Sequence, residues 1–112
     1  MSRDPALRLE DIIEACERLA AYTECLEFEA FVNDSKTQDA VIRVFEIIGE
    51  AVKHVPDELL TREPDIPWRQ IAGFRDVLAH SYFAVDASVV WDAATVKAPL
   101  LHQACLRLLT TL

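Results

Sequence analysis

The sequence predicts a single all-α domain over residues 1–112, folded as a small antiparallel bundle of four to five helices that pairs with a second copy. The 112 residues include only two glycines and are rich in leucine, alanine, glutamate and arginine, which favours helix. Apolar residues recur at three- to four-residue steps, and no stretch alternates convincingly with a period of two. A hydrophobic fraction of 52% in so short a chain predicts a surface that a partner buries.

The first half of the chain predicts two long helices. The first begins at Asp4, with Pro5 in its first turn, and continues to about Phe28. A turn over residues 33–35 then caps a second helix. Pro56 ends this second helix because proline lacks the backbone N–H that a helix interior needs.

The second half predicts shorter helices that follow a proline-rich loop. The loop covers residues 56–67 and contains one short helical turn at Asp57 to Thr61. A third helix begins near Trp68, and Asp86 caps a fourth. Pro99 either kinks the fourth helix or opens a fifth.

Charge and cysteine content restrict the class of protein. A net charge of −8 excludes a general nucleic-acid coating protein, which is basic, but allows a nuclease with a small positive site. Cys16, Cys25 and Cys105 lie in apolar stretches without a Cys-x-x-Cys pair, so they predict buried thiols in a reducing compartment. No signal peptide and no membrane-spanning segment is recognisable, so we expect a cytoplasmic protein.

The sequence predicts neither a metal nor a cofactor. His54 and His102 are isolated on predicted helices, and no cluster of Cys, His or carboxylate residues has the spacing of metal ligands. We therefore interpret both histidines as structural. The chain also lacks a glycine-rich loop of the kind that holds a nucleotide phosphate.

The strongest functional signal is the spacing Arg75-x-x-x-x-His80-x-Tyr82. Arginine holds a phosphate in a fixed fork of donors, histidine transfers protons near neutral pH, and tyrosine offers a hydroxyl and a stacking face. These groups suit the cleavage of a phosphodiester without a metal. The alternative is structural, with Arg75 in a surface ion pair, His80 at a helix C-terminus and Tyr82 in the core.

Helical geometry constrains how these groups meet. At 100° per residue, Arg75 and Tyr82 lie within about 20° of each other, whereas His80 is about 140° from Arg75. Two arrangements solve this problem: the helix ends near Ala79, or the same residues of a second copy complete the site across a two-fold axis. Asp76 either orients the guanidinium of Arg75 or is a simple exposed carboxylate.

The second helix carries a further face beside its core stripe, formed by Ile42, Glu46, Gly49 and Lys53. A glycine inside a helix costs about 1 kcal/mol relative to alanine, so Gly49 predicts close approach of another backbone unless it is merely tolerated. We expect Gly49 and Lys53 at the dimer or cleft surface. Glu46 either neutralises an arginine near this cleft or is solvated.

Together these segments resemble HEPN domains, and more narrowly the HepT-like toxins. The motif from Arg75 to Tyr82 is similar to the signature of that group, as are the segment from Phe45 to Ala51 and the run from Trp68 to Arg75, followed by Val90–Trp91. The resemblance covers about residues 7–110. It implies an all-helical homodimer, with a cleft between its protomers, that acts as a metal-independent endoribonuclease toxin on RNA such as tRNA or mRNA.

The resemblance also implies individual roles and a second partner. His80 would act as general acid or base, Arg75 would stabilise charge on the phosphate, and the adjacent 2′-hydroxyl of the RNA would be the nucleophile. The products would be a cyclic phosphate and a free 5′-hydroxyl. The partner would be the nucleotidyltransferase antitoxin of a type VII-like toxin–antitoxin pair, which silences the enzyme by adenylylation of Tyr82.

Two other hypotheses fit the same residues. Some HEPN domains have lost catalysis, so the chain is alternatively a non-catalytic helical dimeric adaptor that binds a nucleotidyltransferase. In the third hypothesis the Arg75, His80 and Tyr82 trio is purely structural in a plain helical dimer. RNA cleavage that is lost in His80→Ala separates the first hypothesis from both alternatives.

Overall fold

The computed structural model of this chain describes residues 4–80 and 86–112, and it describes the backbone but not the side chains of Arg75, Ala79 and His80. These residues form helices and no strand, which confirms the predicted all-α fold class. The helices are α1 (Pro5–Thr23), α2 (Phe28–Val32), α3 (Ser35–Lys53), α4 (Asp57–Leu60), α5 (Trp68–His80), α6 (Ala87–Asp92), a π-helical turn (Ala93–Lys97) and α7 (Ala98–Thr110).

Four long rods make the bundle: α1, α3, α5 and the continuous rod from α6 to α7. Helix α1 packs against α3 on one side and α7 on another, while α5 packs against α3. The core lies between these rods, and each large side chain buried there contributes about 1.5–3 kcal/mol relative to an exposed one. The largest fully buried side chains include Phe31, Leu9, Ile12, Leu19, Ile48 and Leu108. No helix in the described part is both long and apolar enough to cross a membrane.

The N-terminal cap of α1 was predicted correctly, but its end was not. The Asp4 carboxylate accepts a hydrogen bond from the backbone N–H of Ala6, and Pro5 occupies the first turn. The helix ends at Thr23, whose hydroxyl donates to the carbonyl of Leu19 at 2.8 Å. The prediction that α1 continues to about Phe28 was therefore wrong.

Long-range packing explains this early end. After α1 the chain turns and begins the short helix α2, which buries Phe31 completely. The Phe31 ring lies 5.1 Å from the Trp91 ring of α6, between centroids. Burial of an aromatic pair across the bundle outweighs the local helix propensity of the α1 sequence, because such pairs contribute up to about 1.5 kcal/mol beyond their area.

Both ends of α3 follow the predicted signals. The Asp34 carboxylate accepts hydrogen bonds from the backbone N–H and the hydroxyl of Thr37, at 3.0 and 2.6 Å, and these bonds hold the pKa of Asp34 below its usual value. The helix ends at Lys53, shortly before Pro56, and the predicted short turn in the loop is α4.

The rod from α6 to α7 resolves the two possibilities for Pro99. Asp86 caps α6, as predicted, and accepts hydrogen bonds from Ser88. Helical turns continue from Ala87 through Thr110, and a π-helical turn precedes α7, which has Pro99 in its first turn. The wider π-helical turn makes room for the proline ring and does not need the backbone N–H that proline lacks. The helical rod therefore passes through Pro99 without a break.

The loop between α4 and α5 is fixed to the bundle by three side chains. The guanidinium of Arg107, on α7, donates to the Glu63 carboxylate at 2.7 Å, and the Glu63 side chain is only 17% exposed. Arg62 donates to the hydroxyl of Thr111 at 3.0 Å. The Trp68 indole N–H donates to the carbonyls of Leu60 and Glu63, both at 3.1 Å. These bonds set where α5 begins.

The three cysteines differ in their environment. Cys16 and Cys105 are buried, as predicted, and burial raises the pKa of each thiol to about 12. Cys25 is exposed, so the prediction that it is buried was wrong. It lies in the turn after Thr23, where α1 has already ended.

Replacement of Glu63 by glutamine tests the ion pair with Arg107. The hydrogen bond and charge of Arg107 lower the pKa of Glu63 from its usual 4.5, so the pair stabilises the fold above that pH. This stabilisation is lost as the pH falls through the lower folded-state pKa. We expect urea unfolding to show that Glu63→Gln is less stable than the wild type at neutral pH, and that the difference shrinks as the pH falls below 4.5. Glu10→Gln, on the exposed side of α1, is the control, and an equal pH dependence for both variants would contradict the account.

Thiol labelling tests the assigned burial of the cysteines. At pH 8 the thiols of Cys16 and Cys105 stay protonated and shielded, so a native sample should take up one iodoacetamide label, on Cys25. A denatured sample should take up all three. Peptide mass spectrometry identifies the label, and Cys25→Ser should remain unlabelled in the native state. Rapid labelling of Cys105 in the native protein would show that the α1–α7 packing is wrong.

Candidate active site on helix α5

Helix α5 carries the motif that the sequence singled out. It extends through position 80, one residue beyond the predicted end near Ala79, so positions 75 and 80 belong to one continuous helix. At 100° per residue these positions are about 140° apart. The side chains of Arg75 and His80, and the whole of Tyr82, lie outside the described residues, so their roles stay predictions.

The described side chains show which sides of α5 are packed and which are exposed. Ile71 and Phe74 are partly buried and Leu78 is buried, whereas Arg69 and Val77 are exposed. Around the helix axis, position 75 is about 40° from position 71 and about 60° from position 78, and position 80 is about 20° from Gly73.

Two contacts fix this rotation of α5. The ring of Phe74 meets the ring of Phe45, on α3, edge to face, with centroids 5.2 Å apart and an interplanar angle of 82°. The indole of Trp68 is 9% exposed and donates its N–H to two carbonyls of the preceding loop. A rigid helix held at both places cannot rotate without loss of this packing.

The predicted site residues on α3 occupy three different environments. Glu46 pairs with Arg43 at 3.4 Å on the same helix and is partly exposed. Gly49 is buried, whereas Lys53 is exposed in the last turn of α3. Glu46 directly follows Phe45, whose ring contacts Phe74 of α5. Along the axis of α3, Glu46 is therefore at about the height of Phe74. Lys53 lies two helical turns after Glu46 on α3, so the structure does not place Lys53 at the height of Phe74.

Asp76 and the two remaining histidines have simpler surroundings. Asp76 is exposed. His54 lies 3.1 Å from Glu50, one turn earlier on α3, and His102 lies 3.0 Å from Glu17, so that its bond joins α7 to α1. Among the described residues no group of three or more His, Cys, Asp or Glu side chains is placed to hold a metal ion.

An apolar groove of about 450 Å³ borders α5. Phe45 and Ile48 of α3 line it, and Gln70 and Lys97 are among its polar lining residues. The sequence analysis did not find this groove, because it depends on how far α5 stands from α6 and α7. Its apolar lining distinguishes it from a phosphate-binding site, which needs converging donors.

Comparison with known proteins identifies the family of this chain. A family model for ribonuclease HepT-like proteins matches residues 12–108. The chain belongs to the HepT-like ribonuclease family. The match includes all of α5, so the motif positions 75 and 80 fall inside it.

Curated relatives are similar over almost the whole chain. A probable ribonuclease HepT of Thermococcus cleftensis is 46% identical over 101 residues, which cover 90% of this chain and 92% of the relative. A putative RNase of Methanocaldococcus jannaschii is 39% identical over 97 residues, which cover 87% of this chain and 80% of the relative. A putative RNase of Caldanaerobacter subterraneus is 39% identical over 101 residues, with 90% covered in each. No solved structure is significantly similar to this HepT-like chain.

Proposed function

We propose that this HepT-like chain is a metal-independent endoribonuclease toxin that cuts RNA with Arg75 and His80 in the cleft of a homodimer. The observation that carries the proposal is the family match over residues 12–108, which includes the Arg75-x-x-x-x-His80 motif on α5. The ribonuclease names of the relatives support RNA as the substrate. The two motif positions lie on one continuous helix, which supports a fixed relation between them.

The proposed reaction uses the RNA's own nucleophile. His80, as general base, takes the proton of the 2′-hydroxyl, and the freed oxygen attacks the adjacent phosphorus. The bond from phosphorus to the 5′-oxygen breaks, and that oxygen takes up a proton from solvent water, while His80 returns its own proton to the solvent. Arg75 stabilises the negative charge that develops on the phosphate oxygens. The products are a 2′,3′-cyclic phosphate and a 5′-hydroxyl, and no metal-activated water is consumed.

The geometry of α5 supports a site that two copies complete. α5 is helical through position 80, so positions 75 and 80 of one chain are about 140° apart around its axis. We therefore propose that Arg75 of one copy and His80 of the other meet at one phosphate across a two-fold axis. The two copies together would form the walls of the cleft.

The proposed regulation is adenylylation of Tyr82 by a nucleotidyltransferase antitoxin. The phenol oxygen of Tyr82 would attack the α-phosphorus of ATP, so AMP is transferred and pyrophosphate leaves. The added group would place bulk and a negative charge two residues from His80. Bound RNA would then be excluded by steric overlap and by repulsion of its phosphates.

Replacement of His80 tests the proposed catalytic role. Purified wild type should cut total RNA and tRNA in excess EDTA, and His80→Ala should lose at least about 100-fold in rate, since a general acid or base contributes about 10²–10⁴-fold. Arg75→Ala should lose a similar factor because it stabilises the transition state. Cleavage rates on gels or with a fluorogenic RNA provide the measurement.

His102→Ala is the matched control for this experiment. It removes a histidine that is bonded to Glu17 on the other side of the bundle, so it should keep the wild-type cleavage rate. Thermal unfolding shows whether each variant is folded. If unmodified wild type cuts no RNA but binds a nucleotidyltransferase, the chain is the non-catalytic adaptor. If His80→Ala cuts at the wild-type rate, His80 is not the proton carrier.

Replacement of Tyr82 tests the proposed regulation separately. Incubation with ATP and the nucleotidyltransferase of the same organism should add the mass of AMP to the wild type and abolish RNA cleavage. Tyr82→Phe should gain no mass and stay active, because it lacks the accepting oxygen. Tyr22→Phe, which alters an exposed tyrosine of α1, should be modified like the wild type. Adenylylation of Tyr82→Phe would contradict this assignment.

A further inference from the structure

The groove between α5 and the rod from α6 to α7 has the composition of a small-molecule site. Its volume of about 450 Å³ lies within the range of about 300–1,000 Å³ that is usual for ligand pockets. Its walls are mainly apolar, with Ile71 and Phe74 on the α5 side and Val89 and Ala93 on the opposite side. Pockets of this kind bury the apolar body of a ligand, and a few polar groups fix its orientation.

Asp92 and Lys97 supply polar groups of opposite character at this groove. Both residues line it, and both side chains are more than half exposed. The Lys97 Nζ lies 3.9 Å from the Asp92 Oδ2, which is longer than a hydrogen bond. Because the two groups do not hydrogen-bond each other, the acceptors of the carboxylate and the donors of the ammonium can both face a ligand.

The π-helical turn is the reason that these two residues lie side by side. It covers Ala93–Lys97 and directly follows α6, which ends at Asp92. In a regular α-helix, residues five apart lie about 140° from each other around the axis. In a π-helix the backbone hydrogen bonds join residues five apart, so such residues lie about one turn from each other and on one side. The turn that accommodates Pro99 thus also creates the charged edge of the groove, and π-helical turns are frequent at functional sites.

The groove lies beside the motif on which the proposed function depends. Phe74 lines the groove and directly precedes motif position 75 on α5. Position 75 is about 40° around the axis from Ile71, which also lines the groove. An RNA whose phosphate reaches position 75 therefore has a nucleotide close to the groove. A nucleobase combines the two properties that the groove requires, namely apolar faces and a polar edge.

We propose that this groove is a subsite for one guanine base of the RNA, whose Watson–Crick edge Asp92 and Lys97 recognise. An ionised carboxylate only accepts hydrogen bonds, and its two oxygens can accept from two adjacent donors. Guanine is the base that has two adjacent donors on that edge, N1–H and the N2 amino group. The O6 atom beside them is an acceptor, which suits the ammonium of Lys97.

Other occupants fit the groove less well. Adenine and cytosine each present one amino group beside an unprotonated ring nitrogen, so the carboxylate would face a lone pair, and uracil has a single N–H between two carbonyl oxygens. An apolar side chain of a protein partner would fill the walls but would leave Asp92 and Lys97 without a role. The guanine subsite rests on the proposed ribonuclease function and deepens it, because it names a base beside the cleaved phosphate.

Binding of mononucleotides tests the subsite without any cleavage. The wild type is titrated with the 5′-monophosphates of guanosine, adenosine, cytidine and uridine, and NMR chemical shifts measure each dissociation constant. The guanosine nucleotide should bind at least about tenfold more tightly than the other three, because a bidentate pair discriminates between bases by this order. Asp92→Asn replaces one acceptor by a donor, so it should bind the guanosine nucleotide about tenfold more weakly and lose the preference for it.

A matched control and a steric variant complete the test. Asp39→Asn changes an exposed carboxylate of α3 and should keep the wild-type constants. Ala93→Leu fills part of the groove and should weaken the binding of all four nucleotides, while its circular dichroism stays that of the folded wild type. A wild type that binds no nucleotide or all four equally, or Asp92→Asn with an undiminished guanine preference, would overturn the subsite. It would also be overturned if Ala93→Leu bound the nucleotides like the wild type but no longer bound a nucleotidyltransferase, since the groove would then hold a protein.

RNA cleavage by the same samples keeps this test apart from the proposed catalysis. The substrates are short RNAs that differ only in the base beside one phosphodiester. The wild type should cut fastest beside guanine, and Asp92→Asn should lose this preference. A wild type that cuts beside all four bases at equal rates would overturn the guanine subsite alone. A wild type that prefers the guanosine nucleotide through Asp92 but cuts no RNA would overturn the proposed ribonuclease activity and leave the guanine-binding groove standing.

Discussion

The packing of α5 against α3 is the constraint on which the candidate site depends. The edge-to-face contact of Phe74 with Phe45 sets the rotation of α5, and the indole of Trp68 ties its first turn to the preceding loop. That loop is held in turn by the bond between Arg107 and Glu63. Since an α-helix is rigid, these contacts fix the rotation of the α5 backbone at positions 75 and 80.

The angular separation of positions 75 and 80 links the proposed catalysis to the proposed homodimer. Because one straight helix holds the two positions about 140° apart, a second copy would be needed to bring an arginine and a histidine to one phosphate. In the proposed site only the cleft has to attract phosphate, which is compatible with a net charge of −8.

Features that depend on a few neighbouring residues could be predicted from the sequence. The caps at Asp4, Asp34 and Asp86 follow from short-range hydrogen bonds, and they were predicted correctly. The end of α1 and the exposure of Cys25 were predicted wrongly, because they follow from a contact of Phe31 with a ring 60 residues later in the chain. The apolar groove and the Glu63–Arg107 pair have the same long-range origin. For the candidate site, the spacing of the motif in the sequence predicts the angle between its positions on α5. The side of α5 that packs against α3 could be read only from the structure.

The chemical identity of the cut ends is the most direct test of the proposed mechanism. An enzyme that activates the RNA's own 2′-hydroxyl leaves a 2′,3′-cyclic phosphate and a 5′-hydroxyl, whereas attack by an activated water leaves a linear phosphate on one end from the start. We would cut a short RNA with purified, unmodified wild type in EDTA and identify both ends by mass spectrometry at early times. The account predicts the cyclic phosphate with a 5′-hydroxyl. A 3′-hydroxyl with a 5′-phosphate would contradict it.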